Sequence, residues 1–180
     1  MTATANAPIS MKLQRQFHAL DTDQDGYIDW SDYERMLQRY RGAYALEESD
    51  RKVQALRDGY SALWRELLNR APDQQRLSAT QYVAASQDMR TGDFDRTEHV
   101  SHAVFDIMDV DGDGQITREE FSRLLEVWSV TAPEAMQTFD RMDANGDGVI
   151  SRQEFLDAVR QFYHSDDPEV PGSHFFGNVA

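Results

Sequence analysis

Three twelve-residue stretches of this chain repeat one template, and the template leaves the backbone little freedom. The last runs Asp143-Ala144-Asn145-Gly146-Asp147-Gly148-Val149-Ile150-Ser151-Arg152-Gln153-Glu154. Asp109, Asp111, Asp113, Gly114, Gln115, Ile116, Thr117 and Glu120 fill the same places in a second stretch. Asp21, Asp23, Asp25, Gly26, Tyr27, Ile28, Asp29 and Asp32 fill them in a third. Acid or amide side chains at positions one, three and five offer oxygens to a hard divalent cation. Position seven (Tyr27, Gln115, Val149) offers its main-chain carbonyl, and the acid at twelve closes the cage. Glycine at six permits a turn that a Cβ would resist.

A simpler reading is that Ser151-x-x-Glu154 and Thr117-x-x-Glu120 are capping boxes that start helices. It accounts for the second half of each loop but not for the Asp-x-Asp/Asn-x-Asp-Gly before it. Carboxylates crowded into one tight loop repel one another unless a cation joins them. Apolar residues flank the loops at helical spacing. Leu13, Phe17 and Leu20 lead into the first, and Tyr33, Met36, Leu37 and Tyr40 follow it. Val104, Phe105 and Met108 precede the middle loop, with Phe121, Leu124, Leu125 and Trp128 after it. Phe139 and Met142, then Phe155, Ala158, Val159 and Phe162, flank the last. Each stripe is one buried helical face. Helix, twelve-residue loop and helix together resemble the EF-hand, which binds Ca²⁺.

Such hands pair at loop position eight, so an odd one needs a mate. Tyr60, Leu63, Trp64 and Leu67 form an entering stripe, and Tyr82, Ala85 and Met89 an exiting one. Leu77 serves as the pairing residue, and Ser78-x-x-Gln81 as the cap. Arg70, Pro72 and Gln74 stand where acids belong, so this second hand is expected to be structural. The fold expected is all-α: four EF-hands in two paired lobes packed into one compact unit. A disordered lead-in over 1–9 precedes lobes at 10–89 and 93–163, joined by the Arg90-Thr91-Gly92 turn, with a tail at 164–180 packing on the core.

The net charge of −14 argues against nucleic acid or an anionic membrane as partner. The chain has no Cys, which rules out disulfides and thiol chemistry. No apolar run approaches spanning length, and the N-terminus lacks the basic start and apolar core of a secretory signal. A cytoplasmic monomer is expected. No nucleophile elbow, phosphate loop or zinc pattern suggests an enzyme.

The order of binding, degenerate, binding and binding hands is informative, as are loop starts 88 and then 34 residues apart, the excess lying in a helical segment at 47–69. So is the stretch Asp167-Pro168-Glu169-Val170-Pro171-Gly172-Ser173-His174-Phe175-Phe176-Gly177. Together they resemble the sarcoplasmic calcium-binding proteins and their bacterial counterpart. That resemblance implies a cytosolic Ca²⁺ buffer whose tail folds over apolar surface. Ca²⁺ is expected at three sites. Asp32, one methylene shorter than Glu, reaches the ion less easily with both oxygens, so the first site is expected to take Mg²⁺ as well. Asp29 adds a carboxylate at position nine there. A sensor that opens an apolar groove to a target protein is the alternative. A small-molecule carrier with an internal cavity carries less weight.

Overall fold

The computed structural model describes residues 7–71, 75–91, 97–130 and 135–175. Helix α1 (Ala7–Leu20) leads through the first loop and strand β1 (Tyr27–Ile28) into α2 (Trp30–Tyr44). Helix α3 (Arg51–Asn69), β2 (Leu77–Ser78) and α4 (Ala79–Asp88) form the second hand. Helix α5 (His102–Met108), β3 (Gln115–Ile116) and α6 (Arg118–Val127) form the third. Helix α7 (Ala135–Met142), β4 (Ile150–Ser151) and α8 (Arg152–His164) form the fourth. The fold is all-α apart from these two-residue strands.

The strands pair antiparallel within each lobe, with Ile28 opposite Leu77 and Ile116 opposite Ile150. All four side chains are fully buried. Burial of that kind stabilises by about 1.5–3 kcal/mol per side chain. Helices α2, α4, α6 and α8 each start on a capping box, at Asp29/Asp32, Ser78/Gln81, Thr117/Glu120 and Ser151/Glu154. The same acids that close the loops therefore start the exiting helices.

The two pairs share one hydrophobic core. Polar contacts cross between them. Tyr44 Oη donates to the Glu120 carbonyl at 2.8 Å, and Trp128 Nε1 donates to Tyr40 Oη at 3.0 Å. Lys52 Nζ donates to the Asp109 carbonyl, the first residue of the third hand's loop, at 2.8 Å.

Two boundaries differ from the sequence reading. The lead-in is shorter than 1–9, because α1 begins at Ala7 and Ile9 is fully buried with Leu13 and Phe162. Proline suits a first helical turn, where its missing N–H costs nothing, and Ile9 extends the face of Leu13 by one turn. Residues 1–6 lie outside the described residues. The helix expected from 47 starts at Arg51, where Asp50 accepts a bond from Lys52 N at 2.8 Å. Ala45 ends α2 in the left-handed region, φ 52°. Of the expected joining turn, Met89–Thr91 is a 3-10 turn, and Gly92 lies outside the described residues.

The tail returns over α8. Pro171–His174 forms a 3-10 turn with Gly172 and Ser173 buried. Lys12 of α1 is 2% exposed and ties this corner together. Its ammonium donates to the carbonyls of Gln161 (3.2 Å) and Ser165 (2.7 Å), satisfying the open end of α8, and to Ser173 Oγ (3.3 Å). Burial pulls its pKa down to about 8, against the opposing pull of Asp166.

Candidate metal-binding loops

Each loop is shaped by its own ligands before any ion is considered. In the first, Asp21 accepts from Asp25 N (3.1 Å) and Gly26 N (3.0 Å), and Asp25 accepts from Tyr27 N (2.8 Å). In the last, Asp143 accepts from Asp147 N (3.1 Å) and Gly148 N (2.9 Å), while Asn145 accepts from Asp147 N (2.9 Å) and Asp147 from Val149 N (3.1 Å). In the third hand, Asp109 accepts from Gly114 N (3.0 Å), Asp111 from Asp113 N (3.3 Å) and Asp113 from Gln115 N (2.8 Å). Gly26, Gly114 and Gly148 take φ of 84°, 82° and 90°, the left-handed region that position six requires.

The closing acids occupy one arrangement in all three. Each bridges the N–H groups of positions two and nine. Asp32 accepts from Thr22 N (3.1 Å) and Asp29 N (2.9 Å), and Glu120 from Val110 N (2.9 Å) and Thr117 N (2.8 Å). Glu154 accepts from Ala144 N (3.0 Å) and Ser151 N (2.8 Å). Burial pushes the Glu154 carboxyl up, but bonds from Ser151, Asn145 and Ala144 outweigh it and leave its pKa below the ordinary value. Asp29 is held below its ordinary value chiefly by the Ser31 hydroxyl, 2.6 Å away.

The ligand oxygens converge. Carboxylate oxygens of Asp21, Asp23 and Asp25 lie within 4.8 Å of one another, as do those of Asp109, Asp111 and Glu120. Asp32 and Asp113 stand outside those two clusters. The last loop has the amide of Asn145 in place of one acid. Asp109 is 6% exposed, and its Oδ1 has no hydrogen-bond partner among the described residues. A buried carboxylate oxygen without a donor is costly, and a cation held by all-oxygen ligands would satisfy it. The residues fit a hard divalent ion.

The second hand keeps the scaffold and lacks the acids. Arg70, which stands in sequence where the first acid belongs, forms ion pairs with Glu66 of α3 (2.7 Å) and Asp88 of α4 (3.0 Å). Pro72 and Gln74 lie outside the described residues. Reading by template missed three residues around the first loop. Arg35, Thr22 and Ser31 surround Asp32, and Arg35 forms ion pairs with Asp23 and Asp32. Their only sequence signal is an Arg three residues past the closing acid, where one helical turn brings it back to the loop.

Paired helix–loop–helix units with acid-rich loops define an EF-hand calcium-binding protein. The EF-hand domain pair family matches residues 98–160, and the EF hand family matches residues 13–37. More narrowly, the chain is similar to the calerythrin-like members of that family, which are binding proteins rather than enzymes. Calerythrin of Saccharopolyspora erythraea is 27% identical over 161 residues, covering 86% of this chain and 91% of calerythrin. A Streptomyces coelicolor calcium-binding protein, described in connection with calcium-mediated regulation, is 26% identical with TM-score 0.73, covering 86% of this chain and 97% of its own. The coelenterazine-binding protein of Renilla muelleri, in its calcium-loaded apo form, is 25% identical with TM-score 0.70, covering 99% of this chain and all of its own (100%).

Proposed function

We propose that the protein is a monomeric cytosolic Ca²⁺ buffer with three metal sites, the first shared between Ca²⁺ and Mg²⁺. The observation that carries this reading is how completely the apolar faces are covered. Among the described residues, the large hydrophobics left exposed are Met11 and Val110, which are isolated from each other in sequence. A sensor needs a groove it can open to a partner helix, whereas buffering hands barely move. The tail supports the closed state. An added Cβ at Gly172 would lie 1.9 Å from the Ala158 carbonyl oxygen and 2.7 Å from Phe162 N, so the tail backbone rests directly on α8. Phe175 also meets Phe155 edge-on, with centroids 6.2 Å apart.

A carrier role has less support. The core holds a cavity of about 70 Å³ lined by Tyr33, Tyr40, Tyr60, Tyr82 and Trp128 among others. A cavity of about 150 Å³ is known to hold benzene. At under half that size, and with a mostly apolar lining, this one is too small for a ring system.

The test is fluorescence of an apolar-surface dye on the Mg²⁺-loaded protein before and after Ca²⁺. Mg²⁺ is needed because a loosely packed metal-free form would bind dye for that reason alone. A flat or falling signal is expected, and a clear rise would replace the buffer with a sensor. Gly172→Ala supplies the positive control. It is expected to displace the tail, raise dye binding and lower stability by about 1–3 kcal/mol.

A further inference from the structure

The first loop has a cation of its own. Arg35 Nη2 lies 2.7 Å from Asp32 Oδ1 and 2.7 Å from Asp23 Oδ2, at ligand positions twelve and three. Its Nη1 donates to Ser31 Oγ at 2.9 Å, and its Nε donates to Thr22 Oγ1. The guanidinium fork is thus held by four loop residues, two acids and two hydroxyls, which suits its planar set of donors.

The other two loops lack this cradle. Where the first loop has Thr22 and Ser31, the others have Val110 and Glu119, or Ala144 and Gln153. Where it has Arg35, they have Arg123 and Asp157. Arg123 turns instead to Glu119, at 2.8 Å. Among the described residues, no ion pair reaches the ligand acids of those loops. The short Asp32 side chain contributes, since it keeps its carboxylate close to the α2 backbone and within reach of a residue one turn on. A second guanidinium, that of Arg76, stacks on the Tyr27 ring, 3.8 Å from its centroid.

We propose that Arg35 is a resident counter-ion of the first loop, neutralising Asp23 and Asp32 until a metal ion displaces it. The inference rests on the reading of this loop as a metal site. The bound guanidinium keeps the loop ordered without metal. It also opposes the incoming ion, because a divalent cation must draw Asp23 away from Nη2 and settle beside a positive charge. The first site is therefore the last of the three to take Ca²⁺, and the protein buffers over two concentration ranges.

The first loop carries its own reporter. Tyr27 and Trp30 lie within it, while residues 109–120 and 143–154 contain no aromatic. Tyr44 also touches the third hand's loop at the Glu120 carbonyl, so terbium luminescence is read as the difference between the intact chain and a Tyr27→Phe/Trp30→Phe control, and that difference reports the first site. With Arg35→Gln, half-filling by Tb³⁺ is expected at about tenfold lower concentration. The Ca²⁺ concentration that competes for the site should fall in parallel, and the metal-free protein should melt lower. Equal or weaker binding by the variant would overturn the counter-ion role, as would an unchanged metal-free melting temperature. No luminescence difference from the control in either protein would instead overturn the first loop as a metal site, and the inference with it.

Discussion

In both hand pairs a two-residue strand meets its mate at loop position eight, Ile28 opposite Leu77 and Ile116 opposite Ile150. Both pairs start their exiting helices on capping boxes. Yet the C-terminal pair has two acid-rich loops, and the N-terminal pair has one beside a loop marked by Arg70. The scaffold of a hand and its ligand set are therefore separable. Leu77 and Ser78-x-x-Gln81 help hold the second hand in place by burial, strand pairing and capping, with no acidic ligand set. The surviving loop of that pair also departs from the other two. At position four the later loops use Gly112 and Gly146, with φ of 76° and 72°, where the first has Gln24 at 59°. A side chain there is mildly strained.

The largest effect should come from removing a closing acid in the pair that has two acid-rich loops. Glu154→Gln leaves an amide that can still accept from Ser151 N, but it removes the charge and one of two equivalent ligand oxygens. Calorimetric titration should show Ca²⁺ affinity at that loop falling by about two orders of magnitude. The neighbouring site should weaken less, through the Ile116–Ile150 contact. A neighbour lost altogether would mean that the two loops form one unit rather than coupled sites.

Leu77→Ala tests whether a hand without ligands still matters to binding. Leu77 is fully buried opposite Ile28, so truncation should cost about 2–5 kcal/mol of stability by denaturant unfolding. Because Ile28 lies inside the first loop, Ca²⁺ binding there should weaken while the C-terminal sites keep their affinity. If all three sites weaken together, the shared core carries the effect and the pairs are not independent units.

That shared core marks the limit of what the sequence makes legible. Position-by-position templates lead to the loops, their strand partners and the capping boxes, because each depends on residues within one hand. The contacts of Tyr44 with the Glu120 carbonyl, and of Trp128 with Tyr40, join residues 76 and 88 apart. Helical periodicity marks such residues as buried without saying against what. Lys12 was illegible for a related reason. A Lys in an amphipathic helix reads as solvated, and only the returning end of α8 and the tail bury it. Arg35 belongs to no loop template, and its role emerges only when α2 brings it back over Asp32.

The smallest expected effect lies at the position where the loops of the two pairs diverge in chemistry. Asp32 reaches the same two backbone N–H groups as Glu120 and Glu154, so its shorter arm does not spoil the cap. What the missing methylene limits is the approach of both carboxylate oxygens to an ion. Ca²⁺ uses six to eight oxygens, whereas Mg²⁺ demands about six at shorter distance. Asp32→Glu should therefore raise the Ca²⁺-over-Mg²⁺ preference of the first site by about tenfold, chiefly through tighter Ca²⁺ binding. Paired titrations of each ion against bound Tb³⁺, read as the luminescence that a Tyr27→Phe/Trp30→Phe control loses, measure that ratio at this loop. A longer arm also moves the carboxylate relative to Arg35, which changes affinity for both ions in the same sense. The ratio isolates coordination from that charge effect, so an unchanged ratio would remove Asp32 as the source of mixed selectivity.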